Sequence, residues 1–190
     1  MKSRILRGIA VATTTLGLLA AFSLPMAVAD SGAREYDYHI GDAFLTAIDP
    51  SFGPAIAKAP NGDTVEIVGT GTLGIHAKSV TGGGTVVHKD SDGNVIGSAS
   101  WEATELLSFH SYGSGSAQGL PEEFEGGKAV IRVHIAVDGG GPEFDGILQV
   151  DCVLGDKVPG GAAEGVRLNV PGVANFNQEV SGATLFVRTD

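Results

Sequence analysis

The chain has 190 residues, a formal net charge of −10 and a single cysteine. Such acidity argues against a protein that grips nucleic-acid backbones or anionic lipid headgroups, and one cysteine excludes an internal disulfide. The length is nonetheless sufficient for one domain to bury a core without covalent staples.

Lys2, Arg4 and Arg7 precede an apolar run from Ile9 to Leu24, Pro25 ends that run, and Ala27-Val28-Ala29 supplies the small-x-small pattern of a signal-peptidase site. The run contains Gly17 and several threonines, and it falls short of the ~20 strongly apolar residues of a membrane span. A cleaved secretory signal is therefore expected over residues 1–29, leaving a single β domain over residues 30–190 with no transmembrane segment. Cleavage removes three cations and no anion, which takes the formal net charge from −10 to −13. The expected destination is extracellular, and a secreted chain without disulfides points to a bacterial source. No cysteine stands at the cleavage site to take a lipid anchor.

Residues 30–53 begin the domain. Tyr36, Tyr38 and Ile40 alternate with Asp37 and His39 and predict a first strand; Ala43–Ile48 reads as a short helical turn or an extended run; part of the segment is expected to form a mobile N-terminal arm. A short strand over Pro54–Ala59 is closed by the turn Pro60-Asn61-Gly62-Asp63. Thr64–Lys78 then alternates over a long span, with Val65, Ile67, Leu73, Ile75 and Ala77 on one parity. Gly69 and Gly71 fall on that apolar side and predict a bend, a bulge or a close backbone approach.

Thr85–Lys89 and Val95–Ser98 flank Asp90-Ser91-Asp92-Gly93-Asn94 and read as a hairpin. The polar loop resembles a calcium loop only superficially, because the sixth and twelfth positions hold Val95 and Trp101 where Gly and Glu are needed. Ala99–Tyr112 continues as a long strand whose parity is mixed at Leu106-Leu107, which predicts a bulge. Gly113–Gly127, with Ser, Gly, Pro and Glu residues, reads as a long surface loop.

The strongest strand signal is the hairpin from Lys128 to Leu154. Ala129, Ile131, Val133, Ile135 and Val137 share one face of the first strand, and Phe144, Leu148, Val150, Cys152 and Leu154 share one face of the second. This pair is the expected centre of the core. Val166, Leu168 and Val170 make a further short strand before Pro171-Gly172, and Thr184–Arg188 is a C-terminal one. Consecutive alternating runs between glycine-rich turns predict an all-β, single-domain antiparallel barrel of about eight or nine strands in meander-like order, with a β-sandwich as the alternative.

Three functions fit this chain. The first is a secreted, non-enzymatic β-domain that binds a small apolar molecule or a surface component and needs no cofactor. Trp101, Phe109, Tyr112 and Phe124 bracket the Gly113–Gly127 loop and are the expected binding residues, because aromatics at the mouth of a β-fold stack on or cap a ligand. The second is a metal-dependent enzyme. His76, His88, His110 and His134 fall on four predicted strands, and if their faces converge they hold one transition metal ion. The third is a structural or interaction protein of the cell envelope, which requires an exposed apolar patch. Cys152 falls on an apolar strand face, where a thiol is an inert small hydrophobe, and no G-x-S-x-G elbow is present.

Overall fold

The computed structural model describes residues 34–190; the expected signal segment lies outside the described residues. The elements are β1 (Glu35–Ile40), α1 (Ala43–Ile48), a 3₁₀ turn (Pro50–Phe52), β2 (Ala55–Lys58), β3 (Thr64–Gly74), β4 (Ser79–Val80), β5 (Gly83–Lys89) and β6 (Val95–Ser114). A second 3₁₀ turn (Gly115–Gln118) is followed by β7 (Phe124–Val137), β8 (Glu143–Cys152), β9 (Gly165–Val170), β10 (Ala174–Phe176), β11 (Gln178–Ser181) and β12 (Thr184–Arg188). The domain is all-β, with one antiparallel sheet of 12 strands rather than eight or nine. The additional strands, β4, β10 and β11, are two to four residues long. Alternation over so few residues does not rise above the turn signals around it.

Strands β5 to β10 pair in sequence order as a meander, and β3 pairs both of its chain neighbours, β2 and β4. The remaining ladders join strands that are not neighbours in the chain. β12, at the far end of the chain, pairs β7 on one side and β1 on the other, and β1 pairs β3. Since β3 pairs β5, the ladders β1, β3, β5, β6, β7 and β12 return to β1 in a cycle. The stretch expected to include an N-terminal arm thus supplies a strand held on both edges. The reason lies in its apolar face, since Tyr36, Tyr38 and Ile40 are all buried.

The core sits on the face toward which the predicted alternation points. Ala129, Ile131, Val133 and Ile135 of β7 are buried beside their register partners Val150, Leu148, Gly146 and Phe144 of β8. In β6 the buried parity is odd through Ala103 and then moves to Leu106 and Tyr112, with register shifts at Ala103/Glu105, Leu106/Ser108 and Ser111/Gly113. Each bulge adds one residue and turns the opposite face inward. That accounts for the mixed parity at Leu106-Leu107. Gly69 and Gly71 are sites of close approach: a Cβ on Gly69 meets the Trp101 ring, and one on Gly71 meets the Thr81 carbonyl oxygen at 2.0 Å.

β7 changes partner along one edge. Glu125 pairs Ser114 of β6 on one side and Phe186 of β12 on the other. From Gly127 onward that second edge belongs to β8. Gly126 marks the changeover, and a Cβ there would stand 2.0 Å from the Leu154 carbonyl oxygen, so only glycine admits the crossing chain. The C-terminal end of β8 and the start of β12 are left side by side without a ladder between them.

Candidate functional site

That seam is the foundation of the candidate site. Glu164, in the loop between β8 and β9, joins the two sides. Its Oε2 accepts a hydrogen bond from the backbone N–H of Val153 (2.8 Å), and its Oε1 accepts from the backbone N–H of Thr184 (2.7 Å). The Thr184 hydroxyl lies 2.9 Å from Glu164 Oε1 and 2.9 Å from the backbone oxygen of Asp151. One carboxyl group therefore substitutes for the missing ladder, satisfying backbone donors that burial would otherwise leave unpaired. Burial pushes the Glu164 carboxyl above the usual carboxylate range, against the lowering effect of the hydrogen bonds that it accepts.

Against this seam lies a cavity of about 330 Å³. Its lining comes from α1 and the turn after it (Leu45, Ile48, Phe52), from the connection between β6 and β7 (Leu120, Phe124), from the end of β8 and the loop that follows (Cys152, Leu154, Glu164), and from the start of β12 (Ala183, Thr184, Leu185). The lining is apolar except at Glu164 and Thr184. The Cys152 thiol is pushed well up by burial first and by the nearby Glu164 second, so it is a neutral apolar lining group rather than a nucleophile.

The wall from α1 is placed by its caps. Asp42 stands at the N-cap and accepts from the Leu45 N–H through Oδ1 (3.1 Å), while its Oδ2 pairs with His39 Nδ1 at 2.6 Å. Asp49 closes the helix and opens the following 3₁₀ turn by accepting from the Ser51 N–H (2.8 Å). Leu45 is the helix's buried residue, whereas Phe44 and Ile48 are 41% and 55% exposed. Ile48 and Leu120, the latter 38% exposed, are the exposed apolar residues of the lining. Phe44 stacks on His39 with 4.4 Å between ring centroids and meets Phe124 edge-on at 6.1 Å.

The expected binding aromatics separate. Phe124 lines the cavity. Trp101 is buried in the core, its indole N–H donating to the Val68 carbonyl (3.2 Å). Phe109 packs between Tyr36 and Phe186 at centroid distances of 4.8 and 5.0 Å. Tyr112 is buried and donates its hydroxyl to Asp151 Oδ1 (2.9 Å), whose other oxygen meets Lys128 Nζ at 3.2 Å. The Gly113–Gly127 stretch is shorter as a loop than expected. β6 runs to Ser114, β7 begins at Phe124, and the remainder carries the Gly115–Gln118 turn. Leu120 and Phe124 from it still border the cavity. Leu45, Glu164 and Leu185 were not foreseen as site residues.

The four strand histidines have separate surroundings. His76 and His110 are exposed, and His110 lies edge-on to Tyr112 at 5.8 Å. His88 Nε2 meets Asp63 Oδ2 at 3.2 Å, and its ring packs edge-on against Phe176. His134 lies 3.4 Å from Asp145 Oδ1 and 3.5 Å from Glu143 Oε2 at the surface. Among the described residues, no group of three or more His, Cys, Asp or Glu side chains is placed to hold one metal ion. In the Asp90–Asn94 turn, Asp90 Oδ1 accepts from the N–H groups of Asp92 (3.0 Å) and Asn94 (2.9 Å). The Asn94 side chain and these backbone donors hold the Asp90 carboxyl below the usual range. The turn's carboxylate is thus occupied in folding the hairpin tip.

A second apolar cavity, about 240 Å³, lies where β5, β7 and β9 end and β6 begins. Val65, Val86, Ala99, Ile135, Leu168 and Phe176 are among its lining residues, and His88 is its one ionisable side chain. It is smaller and bounded chiefly by paired strands, whereas the seam cavity is built from a helix, loops and strand ends, where binding groups concentrate. No helix among the described residues is long and apolar enough to cross a membrane. Comparison with protein-family models, curated proteins and solved structures finds no match to the chain.

Proposed function

We propose that the chain is an exported, non-enzymatic β-domain that holds one small apolar molecule in the cavity at the β8–β12 seam. The observation that carries this reading is the lining: nearly all apolar, with one half-buried carboxyl, Glu164, and one buried hydroxyl, Thr184. A few convergent polar groups in an apolar cleft is the usual composition of a small-molecule site, and about 330 Å³ falls at the lower end of the usual volumes. The exposed Ile48 and Leu120 of the lining favour entry of an apolar molecule from water.

The proposed scaffold is a closed barrel rather than a sandwich, supported by the return of the strand pairings to β1. Closure leaves few free strand edges and holds the seam residues at fixed separation. Export rests on the charged start, apolar run and Ala27-Val28-Ala29 site of the first 29 residues. The strong negative charge suits a soluble protein outside the cell with no nucleic-acid partner.

The test is native mass spectrometry of protein collected from the culture medium, followed by titration with an apolar fluorescent probe. A chain beginning at Asp30 with one organic adduct, and probe binding weakened by Phe124→Ala but not by Ile96→Asp at the second cavity, is the expected result. Probe binding that ignores Phe124→Ala, or a chain retained in the cell with residues 1–29 attached, overturns the corresponding part.

A further inference from the structure

We infer that the ligand of the seam cavity is a cationic amphiphile, with its apolar chain inside and its positive head where the cavity opens to water. This rests on the apolar-ligand reading and names its chemical class. The polar side chains of the lining are already engaged with the seam. Glu164 accepts the N–H groups of Val153 (2.8 Å) and Thr184 (2.7 Å) and the Thr184 hydroxyl (2.9 Å). The Thr184 donors are thereby spent, and no lysine, arginine or histidine lines the cavity. A carboxylate or phosphate taken inside would lose its water beside an acidic side chain, with no cation to meet it. An ammonium taken inside would exchange its water for one carboxyl group that already accepts three hydrogen bonds. The interior therefore matches the apolar part of a ligand and leaves its head outside.

The head is selected at the surface. Ile48 and Leu120, the exposed residues of the lining, mark the side on which the cavity meets water. Asp49 directly follows Ile48, and Glu122 and Glu123 fall between Leu120 and the lining residue Phe124; all three acids are exposed. Residues 41–57 and 113–127, which supply these two parts of the lining, contain no lysine, arginine or histidine. The Ser51 N–H and hydroxyl, both 2.8 Å from Asp49 Oδ1, stabilise that carboxylate. Arg188 meets Glu122 at 3.7 Å while holding the buried Glu125 at 3.0 Å, so its one charge is shared between two carboxylates. Carboxylates beside an apolar opening attract a cationic head and repel an anionic one.

The experiment is displacement of N-phenylnaphthylamine, a neutral apolar fluorophore, from the full exported chain by decyltrimethylammonium, decanol and decanoate, each below its micellar concentration. The quaternary head donates no hydrogen bond, so its advantage over the alcohol reads charge. At low salt it is expected to bind about threefold to tenfold more tightly than decanol, the effect of one or two solvent-exposed charge pairs, with decanoate weakest. That advantage should vanish at about 1 M sodium chloride, where the screening length is about 3 Å, a readout that needs no variant to fold. In the double variant Glu122→Gln/Glu123→Gln, decanol should bind as it does to the wild type while the ammonium loses most of its advantage. Equal binding of ammonium and alcohol, tighter binding of decanoate, or an advantage that survives the double substitution and so comes from the net charge of the whole chain overturns the inference but leaves an apolar site standing. Failure of the fluorophore to bind, or of all three compounds to displace it, overturns the apolar-ligand reading as well.

Discussion

The indole of Trp101 rests on the bare backbone of Gly69: a Cβ added at Gly69 would lie 2.3 Å from Trp101 Cζ2 and 2.8 Å from the Gly83 carbonyl oxygen. Neither neighbour yields easily, because the indole N–H is tied to the Val68 carbonyl and Gly83 is backbone within β5. Gly69→Ala should therefore destabilise the domain by about 1–3 kcal/mol through overpacking. Trp101 is the only tryptophan, so its emission reports this contact alone. Urea unfolding followed by fluorescence should show a lower midpoint and red-shifted native emission; an unchanged midpoint would mean that the ring is free to move away.

Phe124 and Leu120 should control ligand retention. Removing the Phe124 ring strips apolar contact worth about 1–2 kcal/mol, which raises Kd roughly tenfold. Leu120 is partly exposed, so Leu120→Asp places a charge at the mouth with little effect on folding. Probe titration alongside thermal unfolding separates the two effects. Binding losses that merely track a falling Tm would contradict a direct role.

Glu164 sets a pH dependence whose sign follows from its raised pKa. The folded protein holds the proton more tightly than the unfolded chain, so the stabilisation is complete below the ordinary glutamate range, near pH 4, and declines as pH rises through the higher folded value. Glu164→Gln cannot reproduce the group. At the Oε1 position an amide NH₂ cannot accept the Thr184 N–H, and at the Oε2 position it cannot accept that of Val153. One buried donor is left unpaired in either orientation, at a cost of about 1–3 kcal/mol. Chemical denaturation across acidic to neutral pH should show this dependence in the wild type and its absence in the variant.

All three tyrosines should resist ionisation while the protein is folded. Tyr36 and Tyr112 are each pushed up to about 12, by burial first and then by the carboxylates of Glu125 and Asp151 that accept their hydroxyls; burial alone raises Tyr38 further. A phenol pKa raised by folding contributes stability that is intact below pH 10 and lost as pH climbs toward 12. Phenolate absorbance should appear in one step together with loss of the β-sheet circular dichroism signal. A third of the signal titrating near pH 10 in protein that retains that signal would contradict the burial of one ring. Tyr112→Phe leaves buried Asp151 with Lys128 alone and should cost about 1–3 kcal/mol.

Much of the sheet was legible because its cause is local. Alternation of period two in β7 and β8 names the buried face directly, and the polar Asp90–Asn94 turn names a hairpin tip. The mixed parity at Leu106-Leu107 announced the bulges of β6. The site was far less legible. Phe124 was foreseen from its place beside a glycine-rich loop, but Trp101, Phe109 and Tyr112 show the same aromatic signal and serve the core instead. Aromatic side chains bury large apolar areas wherever they lie, so residue type does not separate a lining role from a packing role.

The sequence by itself determined an all-β chain, the inward face of its long strands and the absence of a disulfide, because these follow from period, turn chemistry and cysteine count. Only the tertiary structure decided that β12 returns to pair with both β1 and β7, and that β12 and β8 take the same edge of β7 on either side of Gly126. Glu164, Thr184, Leu45 and Phe124 are distant in sequence, and no local pattern relates them. They share one cavity because two strands leave the same edge of β7, and the gap between them must be satisfied by a carboxyl group and covered by apolar side chains.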